Sequence, residues 1–538
     1  MRGRPRGAWL VVLLAGLVLA FAIRAHRADF PFERDEGEYA YAGKLLLEGV
    51  PPYTEVHNMK LPGTYYAYAL LMALFGRTDS GVRLGLALWT TGSALLVFAI
   101  GRRLLGRQAG ALAATTFAML AVSPGVLGLA GHATHFLLLP ALLGTWLLLR
   151  PGGVPLPVAF LAGIAFGAAF LMKQHAAAFV LCGAVLLVLR ERAGGLRRLA
   201  GAEAVFLAGA AAPYGALCLH LAAIGAFEEF WFWTVTYARQ YVTRVPVSAA
   251  AGLLLSSSKS AIGWNFLVWI AAAAGAAWVF RDGTLKAVRP TLAAFVLCSF
   301  AAVVPGFYFR PHYFISMLPA VALLAAAGAA GDGDSRPGAR RRAAWTCLVL
   351  AAAAVGVSGY AGAFFAWDDV RLARTMYGTN PFLESREIAG RLRAAGRPGD
   401  RIAVLGSEPQ IPFYADMRSA TRYVYAYALM EVHPYAARLQ EETVAEIEAV
   451  RPRHLVLVHV GTSWLPQPGS DRRIFRWIDE WVPAHYDVVG LVEIFPGRPA
   501  VTTWGEEAAA RRARSDDHVL VFRRRDGGSE RGTGRDLR

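Results

Sequence analysis

Three carboxylates fall within four residues in Glu33-Arg34-Asp35-Glu36-Gly37-Glu38-Tyr39, shortly after the apolar segment Trp9–Ile23. A carboxylate in a partly buried cleft can act as general base towards a hydroxyl or amine, or can ligate a divalent cation. Asp35, Glu36 and Glu38 can equally be solvated charges beside a membrane surface, and their pattern alone leaves both readings open. A turn follows at Pro51-Pro52-Tyr53, and then Asn58-Met59-Lys60-Leu61-Pro62-Gly63-Thr64-Tyr65-Tyr66 sets a lone lysine before an aromatic run.

Other chemically capable groups lie where the chain turns between apolar runs. Lys173 and His175 form one such turn, and Phe307-Tyr308-Phe309-Arg310-Pro311-His312-Tyr313 forms another. Each residue alone is explained by a long side chain reaching from apolar surroundings to a polar boundary. Together they gather positive charge on one side, and a lipid phosphate at headgroup depth would explain that gathering. His132 and His135 stand three apart, a spacing that can share one helix face. No third metal ligand stands at usable spacing, so they are assigned polar lining roles. Glu408, in Gly406-Ser407-Glu408-Pro409-Gln410, follows a strand-like run and is read as a turn. A divalent cation would suit the acidic cluster, but the sequence requires none and the cofactor is left unassigned.

The elements that hold these residues are mostly hydrophobic. Of the 538 residues, 55% are hydrophobic, above the ~45–50% of soluble domains. The excess is concentrated in residues 1–365, as long apolar runs cut by short charged loops. A spanning helix needs roughly 20 apolar residues. Spans are expected at Trp9–Ile23 and near 81–101, 108–123, 134–149, 155–171, 176–190, 199–223, 261–280, 288–305, 313–330 and 343–365. The stretch Gly63–Phe75 is shorter and is expected to lie in the interface plane.

The net charge of +16 raises the question of nucleic acid. Much of the Lys and Arg sits in short loops between apolar runs, as cytoplasmic loops require, and nucleic-acid binding is set aside. The basic start Met1-Arg2-Gly3-Arg4-Pro5-Arg6 is expected in the cytoplasm, with the first apolar segment retained as an anchor. Arg102, Arg103, Arg107, Arg150, Arg190–Arg198, Arg281–Arg289 and Arg336–Arg342 then face inward. The acidic cluster, Lys60 and the loops Ser123–Thr134, Lys173–His175, Phe227–Ser258 and Gly306–His312 face outward. Eleven spans leave the C-terminal region outside as well. In Phe227–Ser258, the run Phe230-Trp231-Phe232-Trp233 reads as an aromatic interface belt, with a lid over a cleft as the alternative. Cys182, Cys218, Cys298 and Cys347 all fall in apolar runs and read as small buried hydrophobes.

From Ala366 the pattern becomes that of a soluble domain. Ser385–Ala395 and Ala436–Val450 read as helices, and Arg401–Leu405, His454–Val458 and His518–Phe522 as strands. This alternation predicts a small α/β domain over 366–525, followed by a charged, Gly-rich, disordered tail at 526–538. The fold class is thus an all-α polytopic membrane domain, 1–365, with an outer loop at 24–80, plus a C-terminal α/β domain.

The order of these parts resembles the C-type membrane glycosyltransferases. The branch it is most similar to holds bacterial relatives of dolichyl-phosphate-mannose protein mannosyltransferases and the lipid A aminoarabinose transferases. The resemblance rests on Asp35-Glu36 with Tyr39, on Lys60-Leu61-Pro62-Gly63-Thr64-Tyr65-Tyr66, on Arg83-Leu84, on Lys173, and on Arg310-Pro311-His312-Tyr313 with Pro319. It implies an enzyme that moves a sugar from a polyprenyl-phosphate donor to a cell-envelope acceptor at the outer face of the membrane. It also implies that Asp35, with Glu36 adjacent, is the base or holds a metal. Lys60, then Lys173 and Arg310, would neutralise the phosphate. Tyr39, Tyr65, Arg83, His132, His175, His312 and Tyr313 would complete the substrate site. In some relatives an acidic residue directly precedes the second-motif lysine; Met59 stands there here. A transporter or flippase for a lipid-linked glycan is the alternative. Transporters place charge or broken helices near the midplane, whereas the charges here are expected at outer ends.

Overall fold

The computed structural model describes residues 7–331 and 336–525. The basic stretch Met1–Arg6 and the tail at 526–538 lie outside the described residues. Two compact units are present. One holds Met1–Asp29, Lys60–Phe227 and Tyr237–Ala366; the other holds Phe30–Met59, Glu228–Thr236 and Trp367–Arg538. The acidic cluster therefore belongs with the C-terminal unit, whereas Lys60 belongs with the helical one.

The helical unit follows the apolar runs. Six described helices are long and apolar enough to cross a membrane: Ala8–His26, Asp79–Leu105, Leu196–Ala223, Val247–Arg281, Pro311–Ala329 and Gly338–Gly359. The chain is a multi-pass membrane protein. The runs near 108–123, 134–149, 155–171, 176–190 and 288–305 also form helices, of 13 to 17 residues. Gly63–Phe75 is a helix with the predicted bounds. One boundary is corrected. The outer loop was expected to continue to Ser258, but Val247–Ile262 is helical, because the Ala- and Leu-rich stretch 249–255 sustains a helix despite the serines that flank it.

Small residues bring these helices close. A Cβ on Gly163 would lie 2.2 Å from the Phe206 carbonyl oxygen, and one on Gly209 would lie 2.3 Å from that of Phe160. The helices Leu156–Met172 and Leu196–Ala223 thus meet backbone to backbone, the packing that lipid-embedded helices use where hydrophobic burial supplies no drive.

The C-terminal unit is built on a six-stranded sheet: β1 Arg401–Leu405, β2 Arg418–Ser419, β3 His454–His459, β4 Tyr486–Glu493, β5 Val501–Trp504 and β6 His518–Arg524. The strand order is β2-β1-β3-β6-β4-β5. β1 pairs in parallel with β2 and β3. The β3–β6, β6–β4 and β4–β5 pairs are antiparallel. Ile402, Val404, Val456, Val458, Val492, Val519 and Val521 form the core with Ile388, Leu392 and Ile411. The predicted helix Ala436–Val450 is present, and Glu384–Ala395 begins one residue before its expected start. β2, β4 and β5 were not foreseen. A bulge between Val488 and Gly490 interrupts the alternation of β4, and its last residue, Glu493, is a buried carboxylate held by Arg511 at 2.9 Å.

Phe30–Met59 contributes the helix Arg34–Leu47 to this unit. Its N-terminus carries a capping box. The Glu33 carboxylate accepts from the Glu36 backbone N–H at 3.0 Å, and the Glu36 carboxylate accepts from the Glu33 N–H at 3.3 Å. Two otherwise unsatisfied helix donors are thereby paired. Further along, Lys44 pairs with Asp416 at 2.6 Å, and the Tyr41 hydroxyl accepts from the Ser419 N–H at 2.7 Å. After the helix, Glu55 bridges Arg401 and Arg418.

The aromatic run at 230–233 corrects the belt expectation in part. Phe230 and Trp233 are fully buried within this unit. Phe230 packs edge-on to Tyr53, and Trp233 packs against His57 and Tyr423. Large rings remove more water-exposed area by joining a core than by lying at a boundary. Trp231, by contrast, is exposed. Burial foremost, aided by the Arg422 charge, holds the His57 imidazole down to about 3. The ring is therefore neutral, and its 3.7 Å approach to Glu229 is not an ion pair at physiological pH.

Candidate active site

In the helical unit, residues far apart in sequence form one cluster. The His132 and His312 rings stack with centroids 4.2 Å apart. Tyr313 meets His312 edge to face at 4.9 Å and His175 at 4.6 Å. The Lys173 ammonium lies 4.0 Å from the centre of the Tyr313 ring, a cation–π contact. His175 Nδ1 lies 2.8 Å from the Ala302 carbonyl oxygen. A carbonyl only accepts, so Nδ1 carries the proton and Nε2 is the lone-pair nitrogen. An ammonium and a phenol, which can donate to an oxyanion, are thus brought together with three imidazoles.

The Lys60–Tyr66 stretch reaches this cluster through the backbone. Thr64 Oγ1 donates to the Met172 carbonyl at 2.9 Å, directly beside Lys173. The preceding glycine permits that approach: a Cβ on Gly63 would stand 2.4 Å from the Leu171 carbonyl oxygen. Gly63→Ala is expected to force the two segments apart and to cost ~1–3 kcal/mol, as overpacking does. A lower melting temperature would be seen. A variant that melts with the wild type would remove the close approach from the design of the site. Lys60 is half-buried and Tyr65 is buried.

The segment before Arg310 is held in an uncommon conformation. Phe307 and Phe309 have φ of 56° and 45°, and Gly306 has φ of 72°. Left-handed conformations at bulky residues cost ~1–3 kcal/mol each and collect at functional sites. Here they lead directly into Arg310-Pro311-His312-Tyr313. Arg310 lies over the Tyr308 ring, which stacks on Tyr241. Arg83 has a different setting. It is buried and donates to the Arg27 carbonyl at 3.3 Å, while Arg27 Nε donates to the Ala363 carbonyl at 2.9 Å.

In the C-terminal unit the acidic cluster divides into roles. Glu36 is fully buried and its carboxylate belongs to the capping box. Asp35 accepts a 2.8 Å hydrogen bond from the Tyr425 hydroxyl on Oδ1. Tyr39 is buried in the following turn. Gly37 is where the helix meets the domain: a Cβ there would lie 2.8 Å from the Gln410 backbone nitrogen.

Arg34, which sequence reasoning left without a role, is the hub of this contact. Its Nε donates to the Ser407 carbonyl at 2.7 Å and its Nη1 to the Tyr427 hydroxyl at 2.9 Å. Its Nη2 donates to Asn380 Oδ1 at 2.8 Å and to Glu408 Oε1 at 2.7 Å. Burial acts to lower the Arg34 pKa, but Tyr427 and Glu408 outweigh it, so the guanidinium is held charged. Glu408, read from sequence as a turn residue, is fully buried and also accepts from Ser463 Oγ at 2.6 Å. Its signal was its place directly after a buried strand, where loops often carry function.

The chain has the fold of the C-type membrane glycosyltransferases. The crystal structure of ArnT from Cupriavidus metallidurans bound to undecaprenyl phosphate superposes with a TM-score of 0.60 at 16% identity, covering 96% of this chain and 98% of that one. The Archaeoglobus fulgidus oligosaccharyltransferase gives 0.51 at 12% identity, covering 93% of this chain and 75% of that one. The mycobacterial arabinofuranosyltransferase AftD gives 0.52 at 15%, covering 97% of this chain and 40% of its own length. The model of the dolichyl-phosphate-mannose-protein mannosyltransferase family matches residues 59–214, which include Lys60, His132 and Lys173. No curated protein matches the sequence.

Proposed function

We propose that the protein transfers a sugar from a polyprenyl-phosphate donor to a lipid, glycan or protein acceptor at the outer face of the cytoplasmic membrane. The observation that carries this reading is the fold likeness to ArnT, which extends over 96% of the chain. That relative was crystallised with undecaprenyl phosphate, and a polyprenyl phosphate is the lipid carrier proposed here. The Lys173–Tyr313–His175–His312–His132 cluster supports it by chemistry. In this reading the chain crosses the membrane eleven times, with a cytoplasmic N-terminus and the C-terminal domain outside.

The reaction breaks the anomeric carbon–oxygen bond to phosphate, and negative charge builds on the departing phosphate. Prepositioned cations stabilise that charge without reorganising at the moment of reaction. Lys60, Lys173 and Arg310 take this role. The acceptor hydroxyl or amine forms the new bond to the anomeric carbon and gives its proton to Asp35. His132, His175, His312 and Tyr313 line the donor headgroup site.

The test is a transfer assay on purified protein in lipid nanodiscs, with a panel of radiolabelled polyprenyl-phosphate sugars. Turnover of one donor is the expected result. No turnover with any donor, alongside movement of lipid-linked glycan across liposome bilayers, would move the assignment to a flippase. Lys60→Ala is expected to raise the donor KM roughly tenfold or more, since hydrogen bonds to charged groups contribute ~1.5–3 kcal/mol, while the acceptor KM stays near wild type. An unchanged donor dependence would exclude phosphate binding by Lys60.

A further inference from the structure

The phenol of Tyr425 stands 390 residues from Asp35 in the chain and donates to its Oδ1 at 2.8 Å. An aspartate on the first turn of a helix has more than one staggered rotamer open to it, and a hydrogen bond to its carboxylate favours one of them. Tyr425 is itself fixed. Its ring meets Tyr427 edge to face at 4.8 Å. Tyr427 accepts from Arg34 Nη1 and donates to the Thr462 carbonyl at 2.9 Å. Between the two tyrosines, the Ala426 N–H donates to Ser407 Oγ at 2.8 Å, and Arg34 donates to the Ser407 carbonyl. Arg34 and Asp35 are neighbours on one helix, and Tyr425 and Tyr427 are neighbours on one loop. The two pairs therefore close a ring: guanidinium to Tyr427, Tyr427 to Tyr425, Tyr425 to carboxylate. Burial foremost, with the Asp35 charge added, pushes the Tyr425 pKa well up, so its hydroxyl remains a donor.

We infer that Tyr425 is a positioning residue of the transfer reaction, setting the orientation in which the Asp35 carboxylate meets the acceptor. The inference rests on the reading of Asp35 as the base. It gives the C-terminal domain a part in the chemical step, beyond carrying the first outer segment. Catalytic groups work within about 0.5 Å of their productive geometry, and a misplacement of about 1 Å can cost roughly 10²-fold. Loss of this hydrogen bond should therefore appear in kcat and leave substrate binding alone.

The test compares Tyr425→Phe, Asp35→Asn and Tyr486→Phe in the full-length protein in nanodiscs, with the polyprenyl-phosphate sugar that the wild type turns over. Tyr486→Phe is the stability control. It removes another buried hydroxyl, which donates to the Pro452 carbonyl at 2.7 Å. Tyr425→Phe is expected to lower kcat roughly 10–100-fold with both KM values within about twofold of wild type, while Tyr486→Phe keeps wild-type kcat. A Tyr425→Phe kcat within about twofold of wild type, beside an inactive Asp35→Asn, would overturn the inference and leave Asp35 in place. A rise in KM without loss of kcat, or an equal kcat loss in Tyr486→Phe, would also overturn it. Full turnover by Asp35→Asn would instead remove the reading on which it rests.

Discussion

Asp35→Asn is expected to lower kcat about 10²–10⁴-fold, the range lost when a general acid or base is removed. The substitution is nearly isosteric, and the asparagine carbonyl still accepts from the Tyr425 hydroxyl. The capping box of Glu33 and Glu36 is untouched, so the Arg34–Leu47 helix keeps its N-terminus. The ion pair of Arg34 with Glu408 is untouched too. Expression, membrane insertion and melting temperature should therefore match wild type, and the defect should lie in the chemical step. Glu36→Gln separates the two adjacent acids. Its role here is to cap the helix, and a glutamine carbonyl fills the same third position of a capping box, so Glu36→Gln should leave both stability and turnover near wild type. If Glu36→Gln abolished transfer in a stable protein while Asp35→Asn did not, the roles of the two carboxylates would be exchanged.

That separation was not available to sequence reasoning. Three acids within four residues mark a place where chemistry is possible, but spacing cannot say which carboxylate is spent on a helix end. The apolar runs were legible because a helix writes its period locally. The same holds for the strand Arg401–Leu405 and the helix Ala436–Val450, whose predicted bounds are those observed. The cationic groups at the turns were legible as types, and the structure brings His132, Lys173, His175, His312 and Tyr313 into one cluster. Long-range partnership was not legible. Arg34 meets Glu408 across 374 residues, and neither belongs to a periodic pattern that would announce the other. Phe230 and Trp233 failed for the same reason, since an aromatic run beside a span looks identical whether it faces lipid or fills a core. β4 was hidden because its bulge breaks the alternation that marks a strand.

The same hub carries the largest expected effect on stability. Arg34→Ala removes the cation from a pair whose side chains are 8% and 0% exposed, leaving the Glu408 carboxylate in the interior. Breaking a buried pair by removing one partner costs about 3–5 kcal/mol, because the remaining charge is uncompensated. It also takes from the Ser407 carbonyl the guanidinium donor that now serves it, whereas Asn380 Oδ1 keeps its hydrogen bond from the Thr462 hydroxyl. Arg34→Lys is not expected to restore the loss. Four acceptors lie around one planar fork, and an ammonium cannot reach them in that geometry. The double variant Arg34→Met/Glu408→Leu should recover part of the stability, since it removes the lone buried charge. It should not recover activity, because the ring through Tyr427 and Tyr425 to Asp35 is still open. Thermal unfolding of the three variants in detergent, set beside transfer rates, checks this ordering. Equal melting temperatures for Arg34→Ala and wild type would show that Glu408 is not left uncompensated. A double variant as active as wild type would show that the ring does not hold Asp35.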